Sequence, residues 1–157
     1  MLDKVISGLQ FGADIGGLVA AERVGIPTGG LAPKGYRTER GNRPDLGHRF
    51  GVSEDSSKSY IPRTIANVQD SDFTLILSPL AHSGGTVQTI KACNQHSKEF
   101  HLFNPFETEP DKIFRLILDK RPSVLNIAGN RESKCPGLMI CTAHFLQITF
   151  SKVIAEI

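Results

Sequence analysis

The segment Phe73-Thr74-Leu75-Ile76-Leu77-Ser78 is an almost unbroken apolar run. A strand without a polar side is covered on both faces, as in the middle of a parallel sheet wrapped by helices. His82-Ser83-Gly84-Gly85-Thr86 follows as a turn, and Thr86–His96 reads as a helix. This order of strand, glycine turn and helix constrains the fold more than any other feature.

The order recurs along the chain. Lys4–Ser7 is a short apolar strand, and Gly8-Leu9-Gln10-Phe11-Gly12-Ala13-Asp14 is a turn. A helix follows from about Asp14 to Val24, with Asp14 as candidate N-cap and Gly25 just past its end. Gly25–Ala32 reads as a second strand, Tyr60–Gln69 as a helix, Glu99–Asn104 as a strand and Pro110–Lys120 as a helix. Ser123–Ala128 is the last strand, Gly129–Gly137 the last loop, and about Leu138–Ile157 a closing helix. Strands alternating with helices imply an α/β fold with right-handed crossovers: a doubly wound, mainly parallel sheet flanked by helices.

The chain has 157 residues and shows no internal repeat or break in composition, so residues 1–157 read as one domain. Between Pro33 and Ser59 the sequence is polar and lacks a clean period. A loop of that length in a compact domain is functional or disordered.

Composition excludes several classes. The net charge of +2 is too small for nucleic-acid binding by bulk electrostatics. No run of about 18 apolar residues suggests a membrane span, and the first residues lack a signal-peptide pattern. Cys93, Cys135 and Cys141 read as reduced thiols, so the expected location is cytoplasmic. Cys135, Cys141 and His144 do not follow a common zinc spacing, and no metal ligands are assigned.

Ligands of open α/β sheets bind outside the carboxyl ends of the strands. Three turns there carry candidate residues. Gly8, Gln10, Gly12 and Asp14 open the first helix, where glycine allows close ligand approach and free N–H groups attract anions. Ser83, Gly84, Gly85 and Thr86 offer two glycines and two hydroxyls at a helix start, an anion cradle or a simple cap. Asn126, Gly129, Arg131, Glu132 and Ser133 follow the last strand, where Arg131 is placed to clamp a phosphate or pair with Glu132. Lys34 and Gly35 add a cation to the same rim. His82 reads as an ordinary loop histidine or an acid–base group.

Five stretches, in this order, resemble the putative molybdenum carrier family of the Rossmann-like superfamily. They are Ile6-Ser7-Gly8-x-Gln10-x-Gly12-x-Asp14, Gly29-Gly30-x-x-Pro33-Lys34-Gly35, Asn67-Val68-x-Asp70-Ser71-Asp72, Ser83-Gly84-Gly85-Thr86 and Leu125-Asn126-x-Ala128-Gly129-x-Arg131-Glu132-Ser133. That superfamily includes the "lonely guy" phosphoribohydrolases and nucleotide-sensing relatives. The resemblance implies a Rossmann-like sheet and a site for molybdate, a molybdenum cofactor or a nucleotide-like ligand. Leu9 and Phe11 replace the glycine and hydroxyl residues expected in the first turn. Val87-Gln88-Thr89 stands where the phosphoribohydrolases carry a carboxylate, so their reaction is not assigned.

Three functions follow as expectations. The first is a carrier or sensor that binds a small anionic molecule. The second is a nucleotide- or phosphosugar-processing hydrolase using Asp14, Glu132 or His82. The third is a non-catalytic interaction module. The apolar closing helix, with Phe145, Leu146, Ile148, Phe150, Val153, Ile154 and Ile157, suggests core packing or a face for a homodimer or higher homo-oligomer.

Overall fold

A computed structural model describes residues 1–156. The elements run β1 (Lys4–Ser7), α1 (Ala13–Arg23), β2 (Thr28–Gly29), β3 (Leu31–Ala32), a 3₁₀ turn (Lys34–Tyr36), β4 (Arg37–Thr38), β5 (Gly41–Asn42), α2 (Pro44–Phe50) and β6 (Ser53–Glu54). They continue with α3 (Tyr60–Gln69), β7 (Phe73–Leu77), α4 (Gly84–Gln95), β8 (Glu99–Phe103), α5 (Pro110–Lys120), β9 (Val124–Gly129) and α6 (Leu138–Ala155). The expected end of the closing helix, Ile157, lies outside the described residues.

Five strands form one parallel sheet in the order β2-β1-β9-β7-β8. Its middle strand, β9, is last in the chain. It pairs Leu125 with both Val5 and Phe73, and Gly129 with Leu77. All five residues of β7 are buried, as its apolar run requires. Phe73, Leu75 and Leu77 pack with Leu125 and Ile127 against the apolar faces of α5 and α6, including Ile113, Ile117, Leu146 and Phe150. Each such fully buried side chain contributes about 1.5–3 kcal/mol by removal from water. On the opposite face α3 and α4 contribute Val68, Ala92 and Cys93.

The expected second strand is broken in two. Gly30 has φ 122, and the turn there sends β3 away from the sheet to pair with β6. The segment from Pro33 to Ser59 is not a bare loop. It contains the β4–β5 hairpin and α2, and it buries Phe50 and Val52 with Leu9, Phe11, Ile15 and Leu18. Phe50 and Val52 are its two buried members of that cluster, with Tyr36 and Leu46 packed beside them, too few for an apolar period to show.

By length and composition α6 is a candidate membrane span, with mean hydropathy 1.4. A helix buried in the core of a folded domain passes the same test. Its inner residues, among them Thr142, Phe145, Leu146, Thr149 and Phe150, are buried in the core. Ile140, Ile148 and Ile154 remain exposed on its outer side.

Candidate functional site

The turn after β1 is held by its own backbone. Leu9 adopts φ 63 while fully buried, a left-handed conformation that leucine rarely takes. Leucine stands where the family resemblance leads one to expect glycine, and it takes the left-handed conformation itself. Gly12, at φ 120, lies against the chain leaving β9. A Cβ at Gly12 would overlap the Asn130 carbonyl oxygen and come within 2.8 Å of the Glu132 nitrogen. Ala13 N–H donates to Asn130 O, and Glu132 N–H donates to Phe11 O, so the first and third turns are sewn together.

Gly12, not Asp14, is the N-cap of α1. Asp14 sits in the first turn of the helix and accepts from the Gln10 backbone N–H at 3.2 Å. Its Oδ2 lies 3.5 Å from the Arg63 guanidinium. The Asp14 side chain is 7% exposed and that of Arg63 is 14% exposed. Burial raises the Asp14 pKa above its ordinary value, with Arg63, the Gln10 N–H and Arg131 opposing that rise. Gly8 has no side chain to obstruct this pair: a Cβ there would overlap the Arg63 guanidinium.

Gln10 joins this turn to the β4–β5 hairpin. Its Nε2 donates to the carbonyls of Gly8 and Arg37, at 3.2 and 2.9 Å. The two carbonyls fix the amide's orientation, which leaves Oε1 buried without a partner.

The third turn is organised by Asn130. Its Oδ1 accepts from Ser78 Oγ at 2.7 Å and Leu80 N–H at 3.0 Å. Its Nδ2 donates to Leu80 O, Ser83 Oγ and Thr86 Oγ1. One buried amide therefore ties the end of β9 to the loop that starts α4. The first N–H groups of α4, at Gly84 and Gly85, have no intrahelical partner, and neither glycine has an atom within 4 Å of its would-be Cβ.

These elements enclose a cavity of about 420 Å³ at the carboxyl ends of β1, β7 and β9. Of the residues singled out by sequence, Gln10, Asp14, Ser83, Gly84, Gly85, Gly129 and Arg131 line it. Gly8 and Gly12 shape the turn behind it. Thr86 is fully buried, its hydroxyl engaged by Ser78, Ser83 and Asn130, so it holds the loop and does not face the cavity.

The remaining candidates are placed elsewhere. Asn126 is in the middle of β9, where its register partner Thr74 accepts its Nδ2–H at 3.1 Å. Glu132 caps α6 by accepting from the N–H groups of Gly137 and Met139, so it is not paired with Arg131. Ser133 is bonded to Glu39 of the hairpin. Lys34 and Gly35 line a separate open cleft with Arg37, Glu54 and Lys58. His82 is exposed and lies outside the cavity lining.

Sequence reasoning missed Tyr60, Arg63, Asn130 and Lys134, all of which line the cavity. Arg63 sits on α3, which reads as an ordinary surface helix. Only its position after a long polar segment offers a hint.

The lining brings Arg63, Arg131 and Lys134 together against a single carboxylate, Asp14. Among the described residues no group of three His, Cys, Asp or Glu side chains is arranged to hold a metal ion. The donor set thus suits an oxyanion and not a bare metal cation.

The family model described as the circularly permutated YpsA SLOG family matches residues 5–150. A crystal structure of a putative molybdenum carrier protein from Syntrophus aciditrophicus SB is 34% identical. The match covers 94% of each chain with a TM-score of 0.85. No curated protein matches the chain significantly.

Proposed function

The chain belongs to the circularly permutated YpsA SLOG family, and on that premise we propose that it is a carrier or sensor that binds a small anionic ligand at the carboxyl ends of β1, β7 and β9. One observation carries the reading: Arg63, Arg131, Lys134 and the free N–H groups of Gly84 and Gly85 line one cavity with only Asp14 opposing their charge. Helix amino ends and arginine forks both favour phosphate-like oxygens. A carrier of molybdenum would take it here as molybdate or as the phosphate-bearing cofactor, since the lining has cations and N–H donors to offer. A nucleotide derivative presents the same phosphate oxygens.

The test is a thermal-shift series on the purified chain with molybdate, phosphate, AMP and ADP-ribose. A ligand that binds the folded state alone raises the melting temperature by mass action. At least one of these anions raises it, and Arg131→Ala removes the rise. A flat response to every anion rejects the reading and favours an interaction module.

A second reading rests on Asp14. A buried carboxyl with raised proton affinity inside a cavity is a candidate general acid for a nucleotide- or phosphosugar-processing hydrolase. Product release from a nucleotide monophosphate, lost in Asp14→Asn, supports it. Intact ligand after prolonged incubation rejects it.

A further inference from the structure

The one carboxyl group in the cavity wall stands beside the cation best placed to grip an anion. Asp14 Oδ2 lies 3.5 Å from the Arg63 guanidinium, and both side chains line the cavity while keeping 7% and 14% of their surface exposed. An oxyanion that accepts from Arg63 shares that guanidinium with Asp14, and so comes within a few ångströms of a carboxylate. Like charges at such a separation, partly shielded from water, repel.

The groups facing Asp14 come from three elements. Arg63 and Tyr60 lie on α3, and Arg131 and Lys134 lie in the loop after β9. The Arg131 guanidinium is 4.3 Å from the centroid of the Tyr60 ring. From the turn after β1 the N–H groups of Gln10 and Gly8 favour the ionised carboxyl. The start of α4 brings backbone N–H groups and no ionisable side chain, and among the described residues no histidine lines the cavity. Three cations against one carboxylate leave a surplus of two charges, which one phosphate group offsets.

That balance does not remove the local repulsion between carboxylate and anion oxygens. A proton placed between them does, because it turns the contact into a short charge-assisted hydrogen bond. Hydrogen phosphate brings such a proton with it. Sulfate and molybdate carry none near neutral pH, so for them the proton must arrive on Asp14. Burial already raises the proton affinity of Asp14, and a neighbouring anion raises it further.

Resting on the reading that this cavity holds an anion, we infer that Asp14 is its specificity-determining residue: the anion is held with one proton shared between the two, so the site prefers a phosphate that keeps a proton to sulfate or molybdate, which load only as Asp14 takes a proton up. A phosphate monoester, which loses its last proton at about pH 6, falls between the two.

Calorimetric titration of the full chain with inorganic phosphate, sulfate and dilute molybdate tests this, at one ionic strength and from about pH 5 to about pH 8. Sulfate affinity falls with rising pH by up to about tenfold per unit, and each sulfate takes up close to one proton, read from binding heats in buffers of different ionisation enthalpy. Molybdate follows sulfate. Phosphate affinity does not fall, and at about pH 8 it exceeds that of sulfate by at least about tenfold. Asp14→Asn keeps an acceptor for the Gln10 N–H but cannot ionise, so its sulfate affinity is flat with pH and within about threefold of its phosphate affinity. The proton count needs no variant and serves if Asp14→Asn does not fold. Sulfate affinity independent of pH in the unmodified chain, with no proton taken up, overturns the role of Asp14 and leaves anion binding standing. A phosphate preference unchanged in Asp14→Asn overturns it as well. No binding of any of the three at any pH overturns it together with the reading beneath it.

Discussion

Asp14 is a carboxylate buried beside a guanidinium, and the two circumstances pull its proton affinity in opposite directions. Burial prevails, so the folded pKa lies above the ordinary 3.8. The folded chain therefore binds this proton more tightly than the unfolded chain does. The stability that follows is complete below 3.8 and is lost as pH rises through the folded value. Asp14→Asn cannot titrate. Its melting temperature should gain on that of the unmodified chain as pH rises across the acid range, which parallel melting curves would read. A gap that moves the other way with rising pH would contradict a raised Asp14 pKa. Two glycines make a second contrast among single residues. Gly12→Ala pushes a methyl into the Asn130 backbone at a positive φ and should cost roughly 1–3 kcal/mol or more in urea titrations. Gly85→Ala meets open space inside a helix and should add up to about 1 kcal/mol of stability while crowding the anion cradle.

The loop between β7 and α4 owes its shape to a residue far away in sequence. Asn130 makes both hydrogen bonds to Leu80 and also holds Ser78, Ser83 and Thr86. Asn130→Ala leaves several of these groups buried without partners and should cost about 3 kcal/mol, given about 1–3 kcal/mol for each orphaned group. Amide exchange at Leu80 should accelerate more than exchange in β7. Unchanged exchange at Leu80 would show that the loop is held by other means. The excursion from β3 to β6 works similarly at the level of elements. Arg40 lies 4.2 Å from the Phe11 ring, and Glu39 bonds Ser133, so the β4–β5 hairpin is strapped across the first turn. Periodicity cannot reveal such an element, because buried Phe50 and Val52 and a few cross-links replace an apolar face.

Across the whole molecule, charge is nearly balanced at +2, yet the lining of one cavity concentrates Arg63, Arg131 and Lys134 against Asp14. Bulk charge excludes polyanion binding by the surface at large and says nothing about such a local field. Salt discriminates the two. Raising ionic strength toward about 1 M shrinks the Debye length to about 3 Å, so anion affinity should fall steeply while the melting temperature of the ligand-free chain moves little. Affinity indifferent to salt would argue against a charge-led site.

The α/β class, the parallel sheet and the three glycine turns were legible in the order of residues alone. Those depend on local facts: an apolar run without a polar side, helices that follow it, and glycines that open them. Arg131 and the Gly84–Gly85 pair could be placed on the rim in the same way, because strand ends point there. What those turns enclose was settled by tertiary packing. The insertion of β9 between β1 and β7 brings Asn130 to the start of α4 and Arg131 to Tyr60. It also sets Asn126 against Thr74 within the sheet, and Glu132 is turned to cap α6. Arg63 reaches Asp14 because α3 lies beside a turn 49 residues earlier in the chain. Ion pairs and hydrogen bonds act through space over a few ångströms, and no spacing along the chain encodes which distant residues will share those few ångströms.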